Sequence, residues 1–142
     1  MIHIKYPLTY TGLFCIAAVM MACASGPINI PEDLRPEDLV QRGQEAADRN
    51  RYNHALQYYK AIIDRFASNQ EMLCTAEYEI AFIHYKQKKY DTAQTEFNAL
   101  LGWYDSPDAE LLPQQFKKLA GIVLEQIEEK QRKKKDPRSA SS

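Results

Sequence analysis

The chain has 142 residues, is 45% hydrophobic and carries a formal net charge of −1 at neutral pH. That length holds one small domain and leaves no room for a second. Apolar residues recur at helical spacing and no stretch alternates in the manner of a strand, so the class expected is all-α.

Residues 1–22 read as a secretory leader, with Lys5 as the one firm positive charge, an apolar stretch from Leu13 to Ala22 and no acid before Glu32. The stretch ends in Val19-Met-Met-Ala-Cys23. A small residue followed by cysteine at that place resembles a bacterial lipoprotein signal, and the resemblance implies lipidation at Cys23 and cleavage before it. Ala24 and Ser25 follow where an Asp is absent, which resembles sorting to an outer membrane. Two plainer readings stand beside this one: an uncleaved anchor, or an incidental thiol like Cys15. The run is interrupted by Thr9, Tyr10, Thr11 and Gly12, which leaves it short of the ~20 apolar residues of a comfortable span. Lipid burial at about 0.8 kcal/mol per methylene would make two acyl chains a lasting tether. With Cys15 removed and Cys23 lipidated, Cys74 would be left without an internal partner, either a small packed residue or one half of an intermolecular bridge.

Residues 23–36 contain Pro27, Pro31 and Pro36 and lack helical periodicity, so an extended linker is expected, reaching roughly 40 Å at most. Beyond it the apolar pattern turns helical. Breakers at Arg35-Pro36, Ser68-Asn69, Gly102 to Pro107 and Pro113 mark the helix boundaries.

Within residues 37–128 two segments share one pattern at the same internal offsets. Gly43, Tyr52, Ala55 and Tyr59 in the first correspond to Ala81, Tyr90, Ala93 and Phe97 in the second. Leu39 and Ile62 extend the first copy, and Ile80 and Leu100 the second; Ala46 and His84 stand in a slot that otherwise takes an aromatic. The pattern resembles the tetratricopeptide repeat, and with the leader it resembles the tetratricopeptide-repeat lipoproteins of bacterial envelopes. The resemblance implies two α-α hairpins in which Gly43 and Ala81 permit close helix approach and Ala55 and Ala93 sit at the crossings. Ala55 and Ala93 are 38 residues apart where the family's period is about 34, so the connection through residues 67–74 is expected to be longer than standard.

Phe116, Leu119, Ala120, Val123 and Leu124 repeat the opening half of the motif without a second helix after it. Gln114 to about Lys133 is therefore expected to be a capping helix with a polar outer face, making about five helices in all. Residues 129–142 are expected to form a basic disordered tail. Its Lys130, Arg132, Lys133, Lys134, Lys135 and Arg138 contrast with residues 23–129, where 11 Lys and Arg face 18 Asp and Glu. The tail is either a solubilising segment or a contact for anionic headgroups or an acidic partner.

No nucleophile signature, phosphate loop or metal-ligand spacing emerges, since His54 and His84 have no second His or Cys at ligand distance in sequence. The expectation is a non-enzyme without cofactor or metal. The resemblance places a partner-binding groove on the first helix of each hairpin, which in the second copy means Tyr78, Phe82, Tyr85 and Lys86 and in the first Val40, Gln44, Ala47 and Asp48. Three aromatics edged by a cation suit a peptide segment. The alternative is that Tyr78 and Phe82 are covered by the cap or by another subunit. The resemblance thus implies a membrane-anchored periplasmic adaptor or scaffold that binds a protein partner, with no nucleic acid and with oligomerisation left open. Its rivals are an oligomeric transporter-associated solute-binding protein and a structural surface lipoprotein.

Overall fold

A computed structural model describes residues 26–135. Five α-helices follow one another as α1 (Pro36–Asp48), α2 (Tyr52–Arg65), α3 (Gln70–Lys86), α4 (Tyr90–Gly102) and α5 (Gln114–Lys135). Two single 3-10 turns, Trp103–Asp105 and Ala109–Leu111, lie between α4 and α5. Among the described residues there is no strand, and the fold is an all-α array of two helical hairpins closed by α5. None of the helices there is long and apolar enough to cross a membrane. The leader and Cys23 lie outside the described residues.

Each start and stop has a local cause. Pro36 supplies the fixed φ suited to a first helical position, and Glu37 and Asp38 complement the positive end of α1. The Asn69 side chain accepts the Met72 amide at 3.1 Å and so begins α3. This cap corrects the expected long connection: only residues 66–69 separate α2 from α3, and residues 70–74, expected in the connection, lengthen α3 to 17 residues.

The two hairpin turns are built alike. Asn50 and Lys88 both adopt a left-handed conformation, with φ of 56° and 61°. In the first turn the amides of Arg49, Asn50 and Arg51 donate to the carbonyls of Glu45, Ala47 and Ala46. In the second, Gln87, Lys88 and Lys89 donate to Ile83, Tyr85 and His84, the same scheme 38 residues later. These bonds satisfy carbonyls that the helix ends would otherwise leave open.

α3 has two working faces. Its Ala76 and Ile83 join the core of the first hairpin with Leu39, Ala55, Tyr59 and Ile62. Its Cys74, Tyr78 and Ala81 join the second core with Ala93, Phe97, Leu100, Ala120, Val123 and Ile127. Ala55 and Ala93 are fully buried, as the crossing role requires. Gly43 is needed as glycine, because a Cβ there would stand 2.7 Å from Cζ of Tyr59. Cys74 is a free, buried thiol.

Three expectations change. Residues 26–35 are non-helical as expected, but they are docked: the Ile28 amide donates to Gln57 Oε1 at 2.9 Å, and Arg65 donates to the carbonyls of Pro31 and Ile30 at 2.8 and 3.1 Å. Ile30 and Leu34 pack on the first core, so this stretch is a strap and not a free spacer. The tail expected to be disordered from residue 129 is helical to Lys135 instead, and residues 136–142 lie outside the described residues. Good helix formers continue α5 there, a 2.6 Å Glu129–Lys133 pair spans one turn, and the basic last turn complements the helix's negative end.

The third change concerns the cap. The outer face of α5 is not wholly polar, since Leu119 and Ile122 are 40% and 52% exposed. Aligning Ala120 with Ala81 sets Leu119 and Ile122 against Ile80 and Ile83, which in α3 turn toward the preceding hairpin. In α5 the inward residues are Phe116, Ala120, Val123 and Ile127, so this helix is rotated about its axis relative to a third repeat.

Candidate functional site

α1 and α3 lie side by side, and between them opens a cleft of about 280 Å³. Gln44, Ala47 and Asp48 line it from α1, and Glu79, Phe82, Ile83 and Lys86 from α3. Sequence reasoning placed Gln44, Ala47, Asp48, Phe82 and Lys86 in a groove, and the structure brings these five together. Val40 instead packs against the first core.

The aromatic row behaves differently from the expectation. Tyr78, Phe82 and Tyr85 stack in sequence along α3 at centroid separations of 5.9 and 5.8 Å, and Tyr90 of α4 continues the row 5.9 Å from Tyr85. Tyr78 is only 8% exposed, because Phe116 of α5 stands 5.3 Å away and Phe97 of α4 5.6 Å away. It is a core residue, which removes it from any docking surface. Tyr85 is half-buried, and its hydroxyl donates to Gln126 Oε1 on α5 at 2.8 Å. α5 therefore covers the Tyr78 and Tyr85 end, leaving Phe82 and Lys86 facing the cleft toward α1.

Lys86 bridges the two hairpins. Its Nζ lies 5.9 Å from the ring centroids of both Tyr52 and Phe82, within cation–π range. Glu79, behind it, has its carboxyl pushed above the usual range chiefly by burial. The Gln44 amide and the Lys86 ammonium partly offset this, while Asp48 adds to it. Beneath the cleft the Tyr59 hydroxyl is buried and makes no hydrogen bond. Burial and the nearby Glu79 and Asp48 hold it strongly in the neutral form.

His84 is half-buried and pairs with Glu96 across the second hairpin at 2.6 Å, so its place is a side-chain hydrogen bond between α3 and α4. Glu77 on the same helix has its carboxyl raised by burial and then by Glu96. Among the described residues no group of three or more His, Cys, Asp or Glu side chains is placed to hold a metal ion.

One feature escaped the sequence. A cleft of about 410 Å³ opens between α1 and α2, lined by Arg42, Arg49, Arg51, His54 and Tyr58 with Asp38, Gln41 and Glu45. Its acids are engaged, Asp38 by Arg35 at 2.9 Å and Glu45 by Gln41 at 3.1 Å, with Arg49 at 3.8 Å. Those residues come from α1, α2 and the turn between them, and only the spacing of arginines at 42, 49 and 51 hinted at it.

Comparison with protein-family models finds no match, and no solved structure matches the chain. A protein of Treponema pallidum (strain Nichols), described as uncharacterized, is 34% identical over 110 residues. The similarity spans 76% of this chain but 44% of that relative, so the chain corresponds to less than half of the relative's length.

Proposed function

We propose that this protein is a membrane-anchored adaptor of the bacterial envelope, tethered through lipid on Cys23, without a catalytic role, and holding a peptide segment of a protein partner in the α1/α3 cleft. The observation that carries the reading is the cleft itself. It is mixed in character, with Phe82 as apolar surface above the buried Ala47 and Ile83, and Gln44, Asp48, Glu79 and Lys86 as polar groups that fix orientation. Helical hairpins that resemble tetratricopeptide repeats present such a surface on their first helices.

The docked strap sharpens the tether. Gly26 is held near Gln57 of α2 and stands three positions after Cys23, a reach of about 10 Å. A lipid on Cys23 would therefore hold α2 close to the headgroups and turn the α1/α3 cleft toward the compartment that the domain occupies, the periplasm in an outer-membrane setting.

The test has two arms. Metabolic labelling with an alkyne fatty acid should mark the full chain and spare Cys23→Ser; equal label on both would end the anchor reading. A photo-crosslinking residue placed at Asp48 of the full chain in cells should yield an adduct with a second protein, and Lys86→Glu should diminish it. An adduct indifferent to Lys86→Glu, or none, would end the cleft reading.

A further inference from the structure

The large hydrophobic residues left exposed among the described residues are Leu111, Leu119 and Ile122, at 77%, 40% and 52%, and all three lie on α5 or the turn that leads into it. Along α5 the positions Gln115, Leu119, Ile122 and Gln126 fall on one line of the helix surface, at offsets of four, three and four. The opposite face is spent on the second core through Phe116, Ala120, Val123 and Ile127. The outer line therefore holds an apolar seam of Leu119 and Ile122, which stay exposed, while Gln126 at its C-terminal end accepts the Tyr85 hydroxyl of α3.

The charges beside the seam specify what fits it. Lys118 and Glu125 are seven residues apart, so they stand on the same flank of the helix next to Ile122. Both are exposed, and neither has an ion-pair partner among the described residues. When two α5 helices lie antiparallel about a two-fold axis between Leu119 and Ile122, each Lys118 meets the other copy's Glu125, with an axial offset of about 3 Å. In a parallel pairing the two-fold runs along the helices and puts the Lys118 and Glu125 flanks of the two copies on opposite sides of the contact, so the pairs do not form. We infer that α5 is a self-association surface, on which two copies of this chain pack antiparallel through Leu119 and Ile122 with two symmetric Lys118–Glu125 pairs.

Such an interface is isologous, and one surface serves both partners. It goes beyond the adaptor reading and does not depend on it, because no residue of α5 lines the α1/α3 cleft. Two apolar side chains per copy bury little area, so the association belongs with interfaces below about 1,200 Å², weak and concentration-dependent. Two copies on one membrane would meet at a far higher effective concentration than in solution.

The test is a charge-swap experiment on full chains carrying two different tags, co-expressed, solubilised in detergent and captured through one tag. Wild type should co-capture wild type. Lys118→Glu should fail to capture itself, leaving Glu at both positions, and Glu125→Lys should fail likewise with Lys at both. Lys118→Glu co-expressed with Glu125→Lys should regain capture, since every cross-pair is then opposite in charge. Ile122→Glu, at a half-exposed position that leaves the monomer folded, should abolish capture, with helical content checked by circular dichroism. Failure of wild type to co-capture, capture unaffected by Ile122→Glu, or no recovery in the mixed pair would each overturn the inference.

Discussion

The two hairpins share one turn scheme and differ in how the same geometry is filled. In the first, a glycine meets a tyrosine: Gly43 lies under the far end of the Tyr59 ring. In the second, Ala81 and Phe97 take those places, and both are fully buried. Removing a hydroxyl and adding a methyl are complementary changes in volume, so the pairs solve one packing problem by exchanging space across the helix contact. The solutions are not equal in polarity. Tyr59 brings a buried hydroxyl without a hydrogen bond, whereas Phe97 brings nothing to satisfy.

The largest effects should come from the rings. Phe97→Ala and Tyr59→Ala should each cost about 3–5 kcal/mol in urea denaturation, because both rings fill their cores completely. Tyr59→Phe separates the ring from its hydroxyl: it should match or exceed wild-type stability, since it removes an unpaired buried oxygen and leaves the packing intact. A loss of more than about 1 kcal/mol in Tyr59→Phe would mean that the hydroxyl has a partner. Gly43→Ala should follow at about 1–3 kcal/mol through overpacking against Tyr59, while the methyl that Ala81 already carries is accommodated. Equal stability in Gly43→Ala would show that the first hairpin can relax to the geometry of the second.

α3, shared between the cores, carries the next effect. Glu79 has a folded-state pKa raised above its unfolded value, chiefly by burial. Its protonated form is thus favoured by folding: the associated stability is fully present below the unfolded pKa and is lost as pH rises through the folded one. Glu79→Gln should therefore be more stable than wild type at pH 7, with the gap closing toward pH 4. Thermal unfolding across that range checks it, and a gap that widens on acidification would reverse the assigned direction.

Much of this was legible in the sequence because periodicity and breakers are local. The offsets of Gly43, Tyr52, Ala55 and Tyr59 predict a hairpin, and Pro113 before Gln114 marks the start of α5. What stayed hidden depends on side chains meeting across elements. Tyr78 reads as a groove aromatic until Phe116, nearly forty residues later, closes over it. The strap reads as a spacer because nothing local announces that Arg65 will hold the carbonyls of Ile30 and Pro31. Leu119 fits the repeat pattern, yet the rotation of α5 turns it outward, because Phe116, Ala120, Val123 and Ile127 take the inward face. The α1/α3 cleft was half visible: the α1 and α3 positions came from the repeat, but Glu79 did not, because its burial depends on the neighbouring helix.

The smallest expected effect tests the turns, where the backbones match and the residues do not. Asn50 tolerates a left-handed conformation better than most residues, and its side-chain oxygen accepts the Tyr52 hydroxyl at 2.8 Å. The second turn puts Lys88 in the same conformation, with an aliphatic stem that gains nothing locally. Tyr90 stands where Tyr52 does in the repeat, and its ring packs beside Tyr85. Lys88→Asn should therefore stabilise the chain by roughly 0.5–1 kcal/mol, from relieved backbone strain and a hydroxyl bond grafted from the first turn. Asn50→Lys should cost a similar amount. Adding Tyr90→Phe to Lys88→Asn separates the two contributions: a gain that survives belongs to the backbone, and one that vanishes belongs to the hydrogen bond. Were Lys88→Asn to leave the unfolding midpoint unchanged in either background, the left-handed turn would carry no cost at Lys88, and the equivalence of the two turns would extend to their energetics as well as their geometry.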